Sequence, residues 1–315
     1  MSQKHKDFSK INVDLHSLKD VFFRPNEANL TSYRLYHGRG KRYDKFQDFS
    51  IDIFQNVVFI VLFNEREDFF LKELILVIKE HLDIHIKAFI CQHRYLKPCK
   101  TENLEGETQD LIYAEENFLK YHLSFGTHQN PGFFMDMRLG RQKLEQLCHN
   151  KNVLNLFSYT CSFSVCAMNG GAKSVINVDM KSNCLKTGKD NHILNNIPVE
   201  NVRFLKHNVM KSFAKLSRLG PYEIIIIDPP SFQKDSFNIE KDYVKIIKKI
   251  HSLSAAQCDI LACLNAPLLP STFLSNLFNE FLPEFKLLNI LSAPEDFPEK
   301  NPDQGLKILH YQKNG

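Results

Sequence analysis

The chain lacks the features of a membrane protein or a zinc protein. Its longest apolar run, Val57 to Phe63, is too short to span a bilayer, and Met1 to Asp7 contain no apolar core of the signal-peptide kind. None of the eight cysteines stands in a Cys-x-x-Cys pair, so we expect no metal site. Several cysteines lie inside apolar runs, which is typical of small buried residues in a reducing compartment. We therefore expect a cytoplasmic protein.

Neither sign of charge dominates the chain. Lysine and arginine total 40 against 36 for aspartate and glutamate, and the net charge of +4 permits a nucleic-acid partner without requiring one. With 315 residues, 43% of them hydrophobic, the chain is long enough for two cores. Local clusters of charge must therefore indicate the substrate.

The first part of the chain predicts a small α/β module. An apolar strand at Val57–Phe63 is followed by a helix at about Asp68–His81 and a strand at about Ile84–Ile90. The polar segment from Pro98 to Gln109 is the candidate linker. We predict that residues 1–112 form an N-terminal domain that binds the substrate.

Residues 113–315 are predicted to form a second domain, which begins with a hairpin and a helix. Continuous apolar strands then alternate with helices, a pattern typical of a mostly parallel, doubly wound sheet with helices on both faces. The predicted strands are 152–157, 174–179, 202–206, 222–228, 258–264, 285–291 and 306–312. The predicted helices are 135–148, 163–170, 182–195, 209–217, 240–256 and 271–281.

Loops that follow the strands of such a sheet are where ligands bind. The first, Ser158 to Ser164, is small and polar, so its backbone amides can approach a ligand at a helix N-terminus, although an ordinary helix cap is the alternative. It contains no glycine, which argues against the Gly-x-Gly-x-x-Gly loop of a nicotinamide-dependent dehydrogenase.

Two polar residues follow the next strands. Asp179 ends the second strand, about 20 residues beyond the first loop, which is the spacing at which a carboxylate reaches both hydroxyls of a ribose. Its alternative role is to cap the helix that begins near Ser182. Asn208 follows the third strand, where an amide can pair with the edge of an adenine or simply cap a turn.

The fourth loop is the most specific. Ile224 to Ile227 form a fully buried strand, and Asp228-Pro-Pro-Ser-Phe232 follows it. Two consecutive prolines fix φ and force an extended exit from the strand, so rigid carbonyl groups there can hold a planar base. A purely structural turn does not need this sequence, and we therefore interpret it as functional.

At these positions the sequence resembles the class I S-adenosylmethionine (SAM)-dependent methyltransferases. More narrowly, it resembles the bacterial enzymes that methylate large-subunit ribosomal RNA at cytosine C5 or guanine N7. The resemblance covers about residues 113–315 and only loosely the N-terminal part. The matching segments are Leu154–Ser164, Asn177–Met180, Asp190–His192, Asp228–Phe232 and, upstream, Asn130–Arg138. The resemblance implies a Rossmann-like class I methyltransferase sheet, SAM as cofactor, RNA binding and a role in rRNA processing.

The resemblance also implies a set of site residues. Asp179 would hold the ribose, Met180 would pack on the adenine and Asn208 would meet the adenine edge. The methionine end of SAM would be lined by Asn155, Phe157, Ser158 and Tyr159. The methyl group would be bordered by the catalytic residues Asp228, Pro229 and Pro230.

Two positions depart from the family pattern. Ser162 stands where the family usually has glycine, so its side chain could crowd the methionine moiety or shift the backbone. Asn208 stands where the family commonly has aspartate, so contact with the adenine amine requires that the amide oxygen faces it.

The acceptor atom depends on a cysteine. Cytosine C5 becomes nucleophilic only after a thiolate adds at C6, so that reaction needs a reactive cysteine near the cofactor. The candidate, Cys263, lies inside an apolar strand, three residues before the position that the family uses, which here is Ala266. We interpret Cys263 as a core residue and favour a ring nitrogen such as guanine N7. Cytosine methylation through Cys263 remains the alternative.

The densest basic stretch, Tyr33 to Lys45, interleaves aromatic rings with cations, which suits RNA, although a solvated loop is an equal alternative. The predicted substrate-binding residues are Arg39, Lys41, Arg42 and Phe232. We predict methyl transfer to a nucleobase of RNA, in particular 23S ribosomal RNA. A catalytically silent relative that binds SAM and RNA is an alternative that Ser162 raises, and a protein or small-molecule acceptor is another.

Overall fold

The computed structural model describes residues 15–26, 30–107, 112–126, 129–233 and 237–315. Residues 1–7, considered above for a signal peptide, lie outside this part of the chain. Two large sheets dominate the described residues, one of five strands and one of seven. Within the described ranges, no helix has both the length and the apolar character needed to cross a bilayer.

The five-stranded sheet is built from the N-terminal part of the chain. Its strands lie side by side in chain order, and every neighbouring pair is antiparallel except β3 and β4, which are parallel. Helix α1 buries its apolar side against one face of this sheet. The elements are β1 (Ser32–His37), β2 (Phe49–Phe54), β3 (Val57–Leu62), α1 (Asp68–His81), β4 (Ala88–His93) and β5 (Lys100–Gly106).

The predicted linker is wrong over most of its length. Residues 100–106 form β5, which pairs with β4 at the edge of the sheet. The edge position explains the error, because most side chains of β5 remain in solvent and no alternation of apolar residues marks the strand. The division of the chain at residue 112 remains a prediction.

A hairpin and a helix precede the large sheet, as predicted. The hairpin pairs β6 (Tyr113–Glu116) with β7 (Leu119–His122), and α2 (Arg138–Leu147) follows a 3-10 turn at Met135–Met137.

The seven-stranded sheet confirms the predicted mostly parallel α/β fold. Its strand order is β10-β9-β8-β11-β14-β16-β15. Six of these strands run in the same direction, and β16 runs in the opposite direction. The order reverses between β8 and β11, which is the position where sheets of this kind bind ligands. The elements are β8 (Asn152–Leu156), α3 (Ser162–Asn169), β9 (Ser174–Asp179), α4 (Ser182–Leu194), β10 (Val202–Lys206), α5 (Phe213–Leu219), β11 (Tyr222–Ile227), β12 (Phe232–Gln233), β13 (Phe237–Asn238), α6 (Ile239–Ile247), β14 (Ser254–Leu264), α7 (Thr272–Phe281), β15 (Lys286–Ser292) and β16 (Lys307–Lys313).

The predicted helix over 240–256 is too long. Helix α6 ends at Ile247, a 3-10 turn follows at Ile250–Ser252, and β14 already begins at Ser254. Apolar residues at helical spacing continue past the end of α6 and are buried in the same core, which made one long helix plausible. Pairing of Ser254 with Tyr222 of β11 overrides the local helix propensity.

A buried ion pair joins the two sheets. The Arg138 guanidinium donates to both oxygens of Asp296, at 3.0 and 3.1 Å, and to the Ser32 carbonyl at 3.3 Å. Asp296 also accepts the backbone N–H of Arg34 at 2.9 Å. An apolar cluster with members from both parts of the chain surrounds this junction. The cleft between the sheets is therefore lined by firmly packed elements.

Candidate cofactor site and acceptor cleft

A cavity of about 420 Å³ opens at the carboxyl ends of β8, β9, β10 and β11. All eight residues predicted to bind the cofactor contribute to its wall, namely Asn155, Phe157, Ser158, Tyr159, Asp179, Met180, Asn208 and Asp228. Pro229, Pro230 and Phe232 line it as well. The structure thus brings together residues that are spread over 78 positions of the sequence, counted from 155 to 232.

The loop after β8 is strained. Phe157, Tyr159 and Cys161 all adopt left-handed backbone conformations, with φ of 59°, 47° and 61°. Side chains other than glycine rarely adopt this conformation, and such strain concentrates at functional sites. Ser162 is not among the described residues with positive φ; it lines the cavity and begins α3. A serine is therefore tolerated there without backbone strain.

Asp179 holds the strained loop in place. One carboxylate oxygen accepts the backbone N–H of Tyr159 at 3.0 Å, and the other accepts the N–H of Lys181 at 2.8 Å. Each oxygen keeps a further lone pair that can accept a hydroxyl hydrogen. The same side chain can therefore fix the loop and bind a ribose.

A buried hydrogen-bond chain orients Asn155. The Asn155 amide donates to Asn177 Oδ1 at 2.9 Å, the Asn177 amide donates to Ser164 Oγ at 2.9 Å, and Ser164 contacts His192 Nε2 at 3.0 Å. His192 Nδ1 lies 2.7 Å from the Gly188 carbonyl. Because a carbonyl can only accept, His192 must donate from Nδ1, and burial lowers its pKa and favours the neutral ring. Each side chain then donates to the next one, and among the described residues no hydrogen bond involves the amide oxygen of Asn155, a residue that lines the cavity.

Asn208 caps a turn and also lines the cavity. Its amide oxygen accepts the Met210 N–H at 2.9 Å, which is the capping contact, and the residue also lines the cavity. The oxygen therefore has one lone pair left for a ligand. Met180, 40% exposed on the same wall, offers an apolar surface to a ring.

Asp228 is the most perturbed acid of the site. Burial raises its pKa to about 7, the negative charge of Asp136 acts in the same direction, and the positive charge of Arg141 opposes them. Burial also raises the pKa of Asp136, whose Oδ1 is enclosed and has no hydrogen-bond partner among the described residues. Two carboxyl groups whose pKa values are raised by burial thus lie at the junction of β11 with the segment before α2.

None of the eight cysteines, all of which are described, lines this cavity or the larger one beside it. Cys263 is fully buried in the core against Ile226 and Ile308, and burial raises the pKa of its thiol well above the usual value. The prediction that Cys263 is a core residue is confirmed. Ala266 is also buried, and the neighbouring Asn265 reaches the cavity instead.

The second cavity, about 830 Å³, lies between the two sheets and shares Asn130, Phe134 and Asn265 with the first. Arg39 and Lys41 of the basic stretch line it, whereas Arg42 is exposed but is not part of its wall. The rings of Tyr33 and Tyr36 are buried in the core, so these two cannot stack on bases. Phe232, 68% exposed, stands at the rim of the smaller cavity.

Several residues that line the two cavities were not predicted from the sequence. Asn265 follows β14 directly, so the rule that loops after strands carry the site would have found it. Asp136 and Phe134 lie in a segment that matched the family, but nothing in the sequence places that segment over the sheet. The described residues contain no group of three His, Cys, Asp or Glu side chains suited to a metal ion.

Known proteins are similar to this chain in sequence. Ribosomal RNA large subunit methyltransferase I of Aeromonas salmonicida is 35% identical over 135 residues, which are 42% of this chain and 34% of that protein. Ribosomal RNA large subunit methyltransferase K/L of Pseudoalteromonas translucida is 29% identical over 240 residues, 72% of this chain and 34% of that protein. The chain therefore spans about a third of the length of these relatives.

Solved structures show the same fold. SMU.776 complexed with SAH superposes with a TM-score of 0.84 at 24% identity, over 96% of this chain and 83% of the other. The tRNA m1G37 methyltransferase of M. jannaschii gives 0.61 at 17% identity, over 85% and 76%. Both likenesses support the predicted Rossmann-like fold.

The model of one family, described as S-adenosylmethionine-dependent methyltransferase, matches residues 33–312. This match includes both sheets, both cavities and every residue predicted for the site. The chain therefore belongs to the SAM-dependent methyltransferases, and SAM is its cofactor.

Proposed function

We propose that this protein methylates a nucleobase of large-subunit ribosomal RNA in the cytoplasm. The observation that carries the proposal is the adjacency of the two cavities, because a cofactor cavity bordered by Asp228-Pro-Pro-Ser-Phe232 shares three lining residues with a cleft that contains Arg39 and Arg94. Two relatives are named for the large ribosomal subunit, which supports the same substrate. All eight cysteines are free, as expected in a reducing compartment.

The residues of the smaller cavity fit SAM. Asp179 supplies acceptors for the ribose hydroxyls, Met180 an apolar face for the adenine, and Asn208 a polar contact for its edge. For the methionine end we assign Asn155, Phe157, Ser158 and Tyr159. Bound there, SAM supplies a methyl group that its sulfonium already activates, so the protein mainly aligns the acceptor and excludes water.

The acceptor base enters beside Asp228, Pro229 and Pro230 in this proposal. The Ser231 hydroxyl donates to the Asn265 carbonyl, which ties the Asp-Pro-Pro loop to the end of β14. The exposed Phe232 ring can stack on an unpaired base at the rim. Arg39, Lys41 and Arg42 contact the RNA backbone near the larger cavity.

A ring nitrogen such as guanine N7 is the acceptor atom that we favour. The absence of any cysteine from either cavity wall supports this choice, because C5 methylation of cytosine requires a thiolate within reach of C6.

Replacing Cys263 with serine should leave kcat within about twofold of the wild type, since a core residue contributes through packing and not through bond formation. The measurement is single-turnover methyl transfer together with SAM affinity. Loss of turnover with SAM affinity preserved would instead revive the cytosine mechanism.

Mapping rRNA modifications by mass spectrometry tests the proposal itself. Large-subunit rRNA from cells without the gene should lack one methyl group on a base, and the purified enzyme with tritiated SAM should restore it. Wild-type rRNA, already methylated at that base, is the matched substrate control and should take up little label. An unchanged map, or stronger labelling of protein than of rRNA, would contradict the proposal.

A further inference from the structure

Three arginines line the larger cavity: Arg34 on β1, Arg39 on the 3-10 turn after β1, and Arg94 directly after β4. Strands β3 and β4 are parallel and end in register at Leu62 and His93, so Phe63 and Arg94 emerge side by side. The Arg94 N–H donates to the Leu62 carbonyl at 2.9 Å, which fixes this junction.

The aromatic ring of Phe63 contacts two guanidinium groups. The Arg39 guanidinium carbon lies 4.9 Å from the centre of the Phe63 ring, and that of Arg94 lies 5.7 Å away. Contact with an aromatic ring stabilises a cation but leaves its N–H donors available. The ring therefore gathers two positive charges at one place without neutralising them.

Neighbouring carboxylates do not neutralise them either. Within the described ranges, neither Arg39 nor Arg94 has a carboxylate oxygen within 4.0 Å; Arg94 donates to the side-chain oxygen of Gln92 at 2.7 Å and to the Gln129 carbonyl. Burial lowers the pKa of Arg94, and Arg39 and Arg34 act in the same direction while Asp52 opposes them. Two cations thus share a half-enclosed site.

Three of the four acidic residues of the same cavity are paired with other side chains. Asp52 holds the Arg34 guanidinium through two hydrogen bonds, at 2.6 and 3.0 Å. Asp48 binds Arg66 and Glu299 contacts His37, as further pairs. Asp136 lines the cavity too and interacts electrostatically with Asp228 of the methyl-transfer site. Among the described residues, the cleft therefore has two arginines without a carboxylate partner on the side of the N-terminal sheet and the unpaired Oδ1 of Asp136 on the side of the smaller cavity.

We propose that Arg39 and Arg94, positioned by Phe63, bind a backbone phosphate of the RNA next to the nucleotide whose base enters the methyl-transfer site. Arg94 lies close to the smaller cavity, because its side chain donates to the Gln129 carbonyl and the following residue, Asn130, lines both cavities. Guanidinium groups bind phosphate through paired, charge-assisted hydrogen bonds. This proposal rests on the proposed RNA substrate.

The test compares the double variant Arg39→Ala/Arg94→Ala with Arg218→Ala, which removes an exposed arginine from α5 and serves as the charge control. The substrate is deproteinised large-subunit rRNA from cells that lack the gene. We expect the double variant to raise KM for RNA about tenfold or more, with kcat and SAM affinity nearly unchanged. The control should change KM little.

The salt dependence of RNA affinity distinguishes the loss of a phosphate contact from a general disturbance of the RNA-binding surface. For single-stranded RNA, each lost phosphate contact should reduce the slope of log affinity against log salt by about 0.7. Phe63→Leu should raise KM in the same direction, and Phe63→Tyr, which keeps a ring, should restore it. If the double variant fails to fold, the single variant Arg39→Ala takes its place in the same measurements, since the side chain of Arg39 is exposed and its loss should not disturb the core.

Two outcomes are distinguishable. If the wild type methylates the rRNA but the variants match it in KM and salt slope, the phosphate site is wrong and the proposed function stands. If the wild type neither binds nor methylates the rRNA, both proposals fall.

Discussion

Replacing Asp179 with alanine should weaken SAM binding about a hundredfold or more. The carboxylate has two tasks in the proposed site, since it accepts the N–H groups of Tyr159 and Lys181 and also offers lone pairs to the ribose hydroxyls. A hydrogen bond to a charged group contributes about 1.5–3 kcal/mol, and about 2.7 kcal/mol corresponds to a hundredfold change in Kd. Titration calorimetry with SAM and with SAH measures the loss.

Glu223→Ala is the matched control for that variant. Glu223 also accepts a backbone N–H, that of Asn152 at 2.7 Å, but at the opposite end of the same sheet. Both variants therefore lose a carboxylate that caps a strand, and only Asp179→Ala should lose SAM. Equal and unchanged affinities would show that the end of β9 does not hold the ribose.

Much of the cofactor site could be predicted because its signals are local. The buried run Ile224–Ile227 marks a central strand, and the residue that follows a strand in a parallel sheet lies at the ligand-binding edge. The spacing from the first loop to Asp179 depends only on one helix and one strand, α3 and β9. These regularities need no knowledge of how distant segments pack.

The acceptor cleft could not be predicted in the same way. Phe63 and Arg94 become neighbours only through the parallel pairing of β3 with β4, and Arg39 reaches Phe63 from the 3-10 turn after β1. The sequence also shows Tyr33 and Tyr36 beside cations without revealing that both rings point into the core. Long-range pairing and the choice of face are tertiary properties, and they decide which members of a basic stretch can touch RNA.

The second large effect concerns Asp228, whose pKa of about 7 makes the site sensitive to pH near neutrality. Proposed to border the methyl group, its carboxylate would lie beside a positive sulfonium, and a nearby positive charge favours the ionised acid. SAM binding should therefore release a proton, and SAM affinity should rise as the pH increases through about 7. SAH has no sulfonium charge, so its affinity should vary less over the same range.

Asp228→Asn should remove this pH dependence and lower kcat about a hundredfold or more, since preorganised charge at the reacting centre commonly has effects of that size. The same substitution should change the stability of the ligand-free protein. Asp228 has a folded-state pKa above its unfolded value of 3.8, so its contribution to stability is present at low pH and is lost as the pH rises through about 7. Asparagine does not ionise, so the variant should unfold at a higher temperature than the wild type at pH 8.

These two readouts check each other. The difference in thermal unfolding between the wild type and Asp228→Asn, without ligand, reports the ionisation of Asp228, whereas the difference between SAM and SAH affinities reports its contact with the sulfonium. A wild type whose stability falls between about pH 4 and 7, with SAM and SAH affinities that change in parallel, would show that the pKa of Asp228 is raised but that its carboxylate does not lie beside the methyl group. In that case Asp228 would face the acceptor base, together with Asp136, whose Oδ1 has no partner among the described residues.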